Sequence, residues 1–131
     1  MLSYAEFYQH VVLPSWAPPA WLFGVAWGII YPLFIAATVY AIVRVKQGRA
    51  PRSLLWAIGI NWVANILFSP IQLGLTPLWP ASLDILLVLG TLVYIQRLSW
   101  RFVRPVFWLL LPYLFWGLFA TALQLTIMHT N

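Results

Sequence analysis

The sequence contains no cysteine and only two acidic residues, Glu6 and Asp84, among 131. Without cysteine there are no disulfides, thiolate metal sites or cysteine nucleophiles, although the compartment stays open. Two isolated carboxylates make no acidic pair for general acid–base work. His10 and His129 both lie near the chain ends, with no second ligand beside either. No phosphate-cradling glycine loop or nucleophile–base arrangement is present, so neither a metal site nor conventional catalysis is expected. The first ten residues, MLSYAEFYQH, lack a basic segment followed by an apolar one, so no cleavable signal peptide is expected. Nucleic-acid binding, which a net charge of +5 would suggest, is disfavoured by placement: all seven basic residues flank apolar runs.

What the chain has is apolar and aromatic surface: 63% hydrophobic residues, 18% aromatics, nine tryptophans and a mean hydropathy of +0.89. A soluble domain this small cannot hide so much apolar area, so its solvent is lipid. The length predicts one integral membrane domain, residues 1–131. Four stretches are long enough to cross about 30 Å of hydrocarbon: 19–43, 53–73, 78–96 and 105–128. Only the third holds a charge, Asp84. The runs are continuously apolar and about twice the length of a barrel strand, which predicts an all-α bundle of four transmembrane helices.

The linkers set an orientation. Arg44, Lys46, Arg49 and Arg52 separate the first two spans, and Arg97, Arg101 and Arg104 separate the last two. The termini and the turn at 74–77 carry no Lys or Arg. The positive-inside rule then places both basic linkers in the cytoplasm and both termini outside, in a bacterial inner membrane. Residues 3–13 are too short and polar to span and predict a short interfacial helix. Trp21, Trp56, Trp79 and Trp100 fall near span ends and read as interfacial anchors.

Within the spans, polar and aromatic residues recur at helical spacing. Asn61, Asn65, Ser69 and Gln72 share one face, which must look into the bundle. Two readings stand: interhelical hydrogen bonds that join the bundle, or polar groups that orient a ligand in a cavity. Pro112, Tyr113, Trp116, Phe119, Ala120, Leu123 and Gln124 share a face of the fourth span. Phe23, Trp27, Ile30, Tyr31 and Phe34 share one on the first. Trp27 and Trp116 lie inside their spans, away from the interfacial belt, and a buried indole N–H needs an acceptor. Together these features favour an aromatic-walled pocket for a flat apolar ligand. Gly24 and Gly28 form a GxxxG that predicts close helix packing. Asp84 reads as a carboxylate near the interface bonding a helix N-terminus or the Asn face, or as a proton or cation site.

Three blocks carry a resemblance. WAPPAWLFGVAWGIIY (16–31) resembles the W-x-P-P-x-W-x-F-x-x-x-W-x-x-L-Y signature of the TspO/MBR family, the tryptophan-rich sensory and translocator proteins. NILFSPIQLGL (65–75) resembles that family's N-x-x-W-S-P-x-F-F-G-L, and PYLFWGLFATALQ (112–124) its P-Y-L-x-W-x-x-F-A-x-x-L-N. Asp84 falls where the family has an Asp opening a helix. The chain departs from the pattern in several places: Phe68 stands for Trp, Gln72-Leu73 for Phe-Phe, and Gln124 for Asn. The proline signature opens the first span here and the second of five in the family. The resemblance therefore implies that the family's first helix is missing, its flank being filled by a second copy, another membrane subunit or lipid. No Lys or Arg follows Arg104, so the sterol motif at the end of the family's last helix is absent; LVYIQR (92–97) matches that loose pattern elsewhere.

The resemblance implies binding of porphyrins and other tetrapyrroles, sterols or carotenoid-like lipids in a pocket opening on the proline-loop side. It also implies, for some members, light-dependent porphyrin breakdown involving two pocket tryptophans, which map to Trp27 and Trp116. Joined to the face analysis, it nominates Trp16, Pro18, Pro19, Phe23, Trp27, Tyr31, Asn61, Asn65, Phe68, Tyr113, Trp116, Phe119 and Gln124 as ligand-binding residues. The expected function is a sensory or regulatory receptor for such a ligand. The alternatives are photo-oxidative porphyrin degradation, an accessory or assembly subunit of a pigment-bearing complex, and a small exporter, which would need a carboxylate deeper than Asp84.

Overall fold

The computed structural model describes residues 4–74 and 77–131. Among these residues six helices follow in order: α1 Tyr4–His10, α2 Trp21–Lys46, α3 Arg52–Gly74, α4 Trp79–Phe102, α5 Arg104–Leu109 and α6 Leu111–Thr130. At about 1.5 Å per residue, the 26 residues of α2 extend about 39 Å, enough to cross the hydrocarbon with some tilt. Among the described residues four helices, α2, α3, α4 and α6, are long and apolar enough to span. The chain is an all-α transmembrane bundle.

Prolines punctuate these helices. Pro stands in the first turn of α4, α5 and α6, where a missing N–H is no loss. The linker expected at 97–104 contracts to one residue. Helix α4 runs on through Arg97 and Arg101, and only Val103 (φ −144°, ψ 72°) is non-helical before α5. Pro105 forces the break, because its ring would meet the Arg101 carbonyl in a continuous helix. Val103, 2% exposed, is held in the core. The fourth span is likewise interrupted at Leu110, since Pro112 offers no N–H to the Trp108 carbonyl.

Helix α2 ends in a Schellman turn. The Gly48 N–H donates to the Val45 carbonyl and the Arg49 N–H to the Arg44 carbonyl, both at 3.0 Å, with Gly48 at φ +73°. A Cβ at Gly48 would touch nothing within 4 Å, so the cost of Gly48→Ala is conformational. It is expected to be about 1 kcal/mol, read as a lower unfolding midpoint in detergent with ligand binding unchanged.

The core has two parts. Ile30, Phe34, Ala37 and Ala41 of α2 pack with Leu54, Ala57, Val88, Leu92 and Tyr113. A smaller cluster at the other end joins Phe7 to Phe23, Leu73, Leu123 and Ile127. Trp27 and Trp116 pack against both. Helix α1 is thus more than interfacial: Phe7, 4% exposed, closes that end of the bundle. The chain ends meet there too, where Asn131 Nδ2 donates to the Val12 carbonyl (3.0 Å) and the Val12 N–H to Asn131 Oδ1 (2.9 Å). The basic connections lie at the opposite end.

Gly24 and Gly28 depart from expectation. Both are exposed, with no heavy atom within 4 Å of an added Cβ, so among the described residues no other helix packs on them. Small residues that do face the core are Ala37, Ala41, Ala57, Ala64, Ala81 and Gly117. Trp16, Trp21 and Trp79 are exposed toward one end of the bundle and Trp56, Trp100 and Trp108 toward the other, the placement expected of interfacial anchors.

Candidate functional site

Where the two core clusters meet, the four spans surround a small cavity of about 40 Å³. Helix α2 contributes Phe23 and Trp27, α3 Asn65 and Phe68, α4 Ile85 and Val88, and α6 Tyr113, Trp116, Gly117 and Ala120. A second small cavity of about 30 Å³ lies beneath α1, between Phe7 and Tyr8 above and Gln72 and Gln124 to the side. The two share Phe23, Phe68, Ile85 and Ala120, so these four side chains form the partition. The walls are almost wholly apolar, with few polar groups, as in small-molecule sites generally.

The polar face of α3 is used mainly for joining helices. Tyr113 Oη donates to Asn61 Oδ1 at 2.7 Å and accepts from Asn65 Nδ2 at 2.6 Å. Tyr31 Oη donates to Asn65 Oδ1 at 2.8 Å. Asn61 Nδ2 donates to the Val88 carbonyl and Thr91 Oγ1, both at 2.9 Å. One network thus links all four spans. Asn61 is fully buried with both ends of its amide engaged, and it does not line the cavity. Toward the α1 end, Gln72 and Gln124 pair through both amides, and Gln124 Nε2 also donates to Ser82 Oγ at 3.1 Å.

The aromatic residues form a continuous wall. Trp27 stacks on Tyr31 with ring centroids 5.1 Å apart and meets Tyr113 edge-on at 6.0 Å. Phe23 lies edge-on to Trp116 at 5.6 Å. Behind them, Trp62 stacks on Phe34 at 4.2 Å, and its Nε1 donates to Thr38 Oγ1 at 3.0 Å. The indole of Trp116 differs. Its Nε1 is buried and has no hydrogen-bond partner among the described residues, although the ring lines the cavity. A buried donor left unmade costs roughly 1–3 kcal/mol, which an acceptor on a bound molecule would recover.

Of the nominated residues, Phe23, Trp27, Asn65, Phe68, Tyr113 and Trp116 come together around the main cavity, and Gln124 lines the second. Tyr31 and Asn61 stand one shell out, in the hydrogen-bond network. Trp16 is 46% exposed and touches Phe119 edge-on at 5.8 Å; Phe119 in turn backs Trp116. Pro18 is buried and Pro19 exposed, both in the segment leading into α2. Ile85, Val88 and Gly117 were not nominated, because isolated apolar or small residues carry no distinguishing pattern. Asp84 is half-buried, and its Oδ2 has no partner among the described residues, so the expected bond to the Asn face is not made. In the LVYIQR stretch, Leu92 is buried in the core while Tyr94 is 45% exposed. The loose sterol pattern therefore does not form one surface.

Comparison with known proteins agrees with this architecture. The sequence model of the TspO/MBR family matches residues 2–129. An uncharacterized membrane protein of Bacillus subtilis, YtaB, is 36% identical over 128 residues, covering 96% of this chain and 81% of its own. The tryptophan-rich sensory protein of Cereibacter sphaeroides is 28% identical over 134 residues, covering 100% of this chain and 80% of its own. The human translocator protein is 28% identical over 133 residues, covering 96% of this chain and 75% of its own.

Proposed function

This chain belongs to the TspO/MBR family, and from that membership and its aromatic cavity we propose that it is a membrane receptor for a flat, largely apolar ligand of the tetrapyrrole class. The observation that carries the reading is the unpartnered Nε1 of Trp116, a residue that lines the cavity. A porphyrin has a broad π-face and a few peripheral acceptors. Trp27, Tyr113 and Phe23 supply aromatic surface, and Trp116 Nε1 and Asn65 supply the polar contacts. At about 40 Å³ the main cavity is far smaller than ligand sites of roughly 300–1,000 Å³, so it must widen to take a ligand. A macrocycle occupies it by displacing Phe68, so that the cavity beneath α1 joins it, and it enters from the end α1 covers. The sensory role follows: ligand binding moves α1, the element that closes that end. With seven basic residues at one end and none at the other, that end faces away from the cytoplasm.

Protoporphyrin titration with absorption readout tests the proposal. Trp116→Phe is expected to weaken binding about tenfold, the equivalent of one hydrogen bond of about 1.4 kcal/mol. Trp27→Phe combined with Trp116→Phe should weaken it further. If the double variant binds as tightly as the unmodified protein, the cavity is not the site.

A further inference from the structure

We propose that the open groove between α4 and α5–α6, at the basic end, binds an anionic phospholipid of the adjoining leaflet. The open groove has room for about 680 Å³ and is separate from the aromatic cavity, sharing none of its lining residues. Its chemistry is graded along the membrane normal. Val93, Leu111 and Leu114 form the deep, apolar part. One turn further along α4, Arg97 stands at the mouth beside Trp100 and Trp108, which mark the headgroup level. Apolar surface below and a cation above match a phospholipid, whereas a free anion would have no use for the apolar part.

The charge argument selects an anionic headgroup. The chain's only carboxylate side chains are Glu6 and Asp84, both toward the opposite end of the bundle. The guanidinium groups here therefore have no protein counter-ion within reach. Arg97 makes no hydrogen bond among the described residues, and Arg101 follows it one turn on, on the same helix face. Arg104 is already positioned: its guanidinium lies 4.4 Å from the Trp100 ring centre, and its Nε donates to the Trp100 carbonyl at 3.3 Å. A second, independent feature is Gln96, in the groove wall and 4% exposed. Its Nε2 donates to the Phe107 carbonyl at 3.1 Å, while its Oε1 has no donor among the described residues. A headgroup hydroxyl, such as those of phosphatidylglycerol, supplies one.

The test presents the intact protein in detergent with equal amounts of phosphatidylglycerol and phosphatidylcholine of identical acyl chains. Retained lipid is counted by native mass spectrometry. Phosphatidylglycerol is expected to be preferred, and Arg97→Gln with Arg104→Gln to lower the preference about fivefold per arginine removed. Arg97→Lys should largely preserve it. Lys46→Gln with Arg52→Gln, at a different basic groove, should lower it much less. Excess inorganic phosphate should not displace the lipid. Equal retention of both lipids, an equal fall in the Lys46/Arg52 variant, or displacement by phosphate would each overturn the proposal. All four substituted residues are exposed, so an unchanged unfolding midpoint serves as the folding control.

Discussion

Tyr113→Phe is expected to destabilise the bundle by about 2 kcal/mol or more, measured as loss of helix in a denaturant titration in mixed micelles. The hydroxyl is the hub of the interhelical network, donating to Asn61 and accepting from Asn65. Typical membrane hydrogen bonds contribute only about 0.6 kcal/mol, because the unfolded helices also find partners in lipid. This position exceeds that figure because removal leaves two buried groups unmade at once. Asn61 is 0% exposed and Asn65 6%, and each orphaned group costs roughly 1–3 kcal/mol. Asn65 Nδ2 can turn toward the cavity, so most of the penalty falls on Asn61 Oδ1. Tyr31→Phe is the internal comparison, since it removes a single bond on a half-buried ring. Adding Asn61→Leu to Tyr113→Phe should recover part of the loss, because replacing both partners by apolar groups is nearly neutral. If Tyr113→Phe proves no worse than Tyr31→Phe, the network is incidental to stability.

That network also shows what the sequence could and could not disclose. Asn61, Asn65 and Gln72 were legible as an inward face because polar groups at helical spacing cannot face lipid. Their division of labour was not legible. Whether an Asn joins helices or meets a ligand depends on what the opposing helix presents, and Tyr113, distant in sequence, decides it for Asn61. Trp62 was missed for a related reason. It sits one residue from Asn61, so helical spacing separates it from the polar face, yet it stacks on Phe34 from α2. The spans and the tryptophan boundaries were legible because the bilayer's thickness and interface act on each helix alone.

Local rules misled where tertiary packing or proline overruled them. GxxxG predicted packing, but Gly24 and Gly28 point out of the bundle. Basic residues suggested a linker at 97–104, but α4 carries Arg97 and Arg101 as an exposed helical stripe. That stripe is what sets guanidinium groups at the mouth of the lipid-facing groove. Phe7 gave no sequence signal for docking, since a few apolar residues on a seven-residue helix fit an interfacial helix equally well.

Ala120→Phe is expected to abolish ligand binding, by at least about a hundredfold or 2.8 kcal/mol, at a smaller loss of stability. Ala120 is the small residue in the partition between the two cavities. Large side chains occupy the other three partition positions, Phe23, Phe68 and Ile85. A small side chain on α6 therefore leaves open the space through which the cavities must join for a macrocycle to fit. A ring projecting from position 120 exceeds the roughly 40 and 30 Å³ on either side, so it blocks the junction and carries part of the usual overpacking cost of about 1–3 kcal/mol. The diagnostic result is a dissociation: protoporphyrin no longer shifts in absorption while the unfolding midpoint falls by no more than that cost. Ala120→Ser keeps the side chain small and should retain binding. Undiminished binding in Ala120→Phe would place the ligand outside these cavities, leaving the unpaired indole of Trp116 to be explained by something other than a ligand.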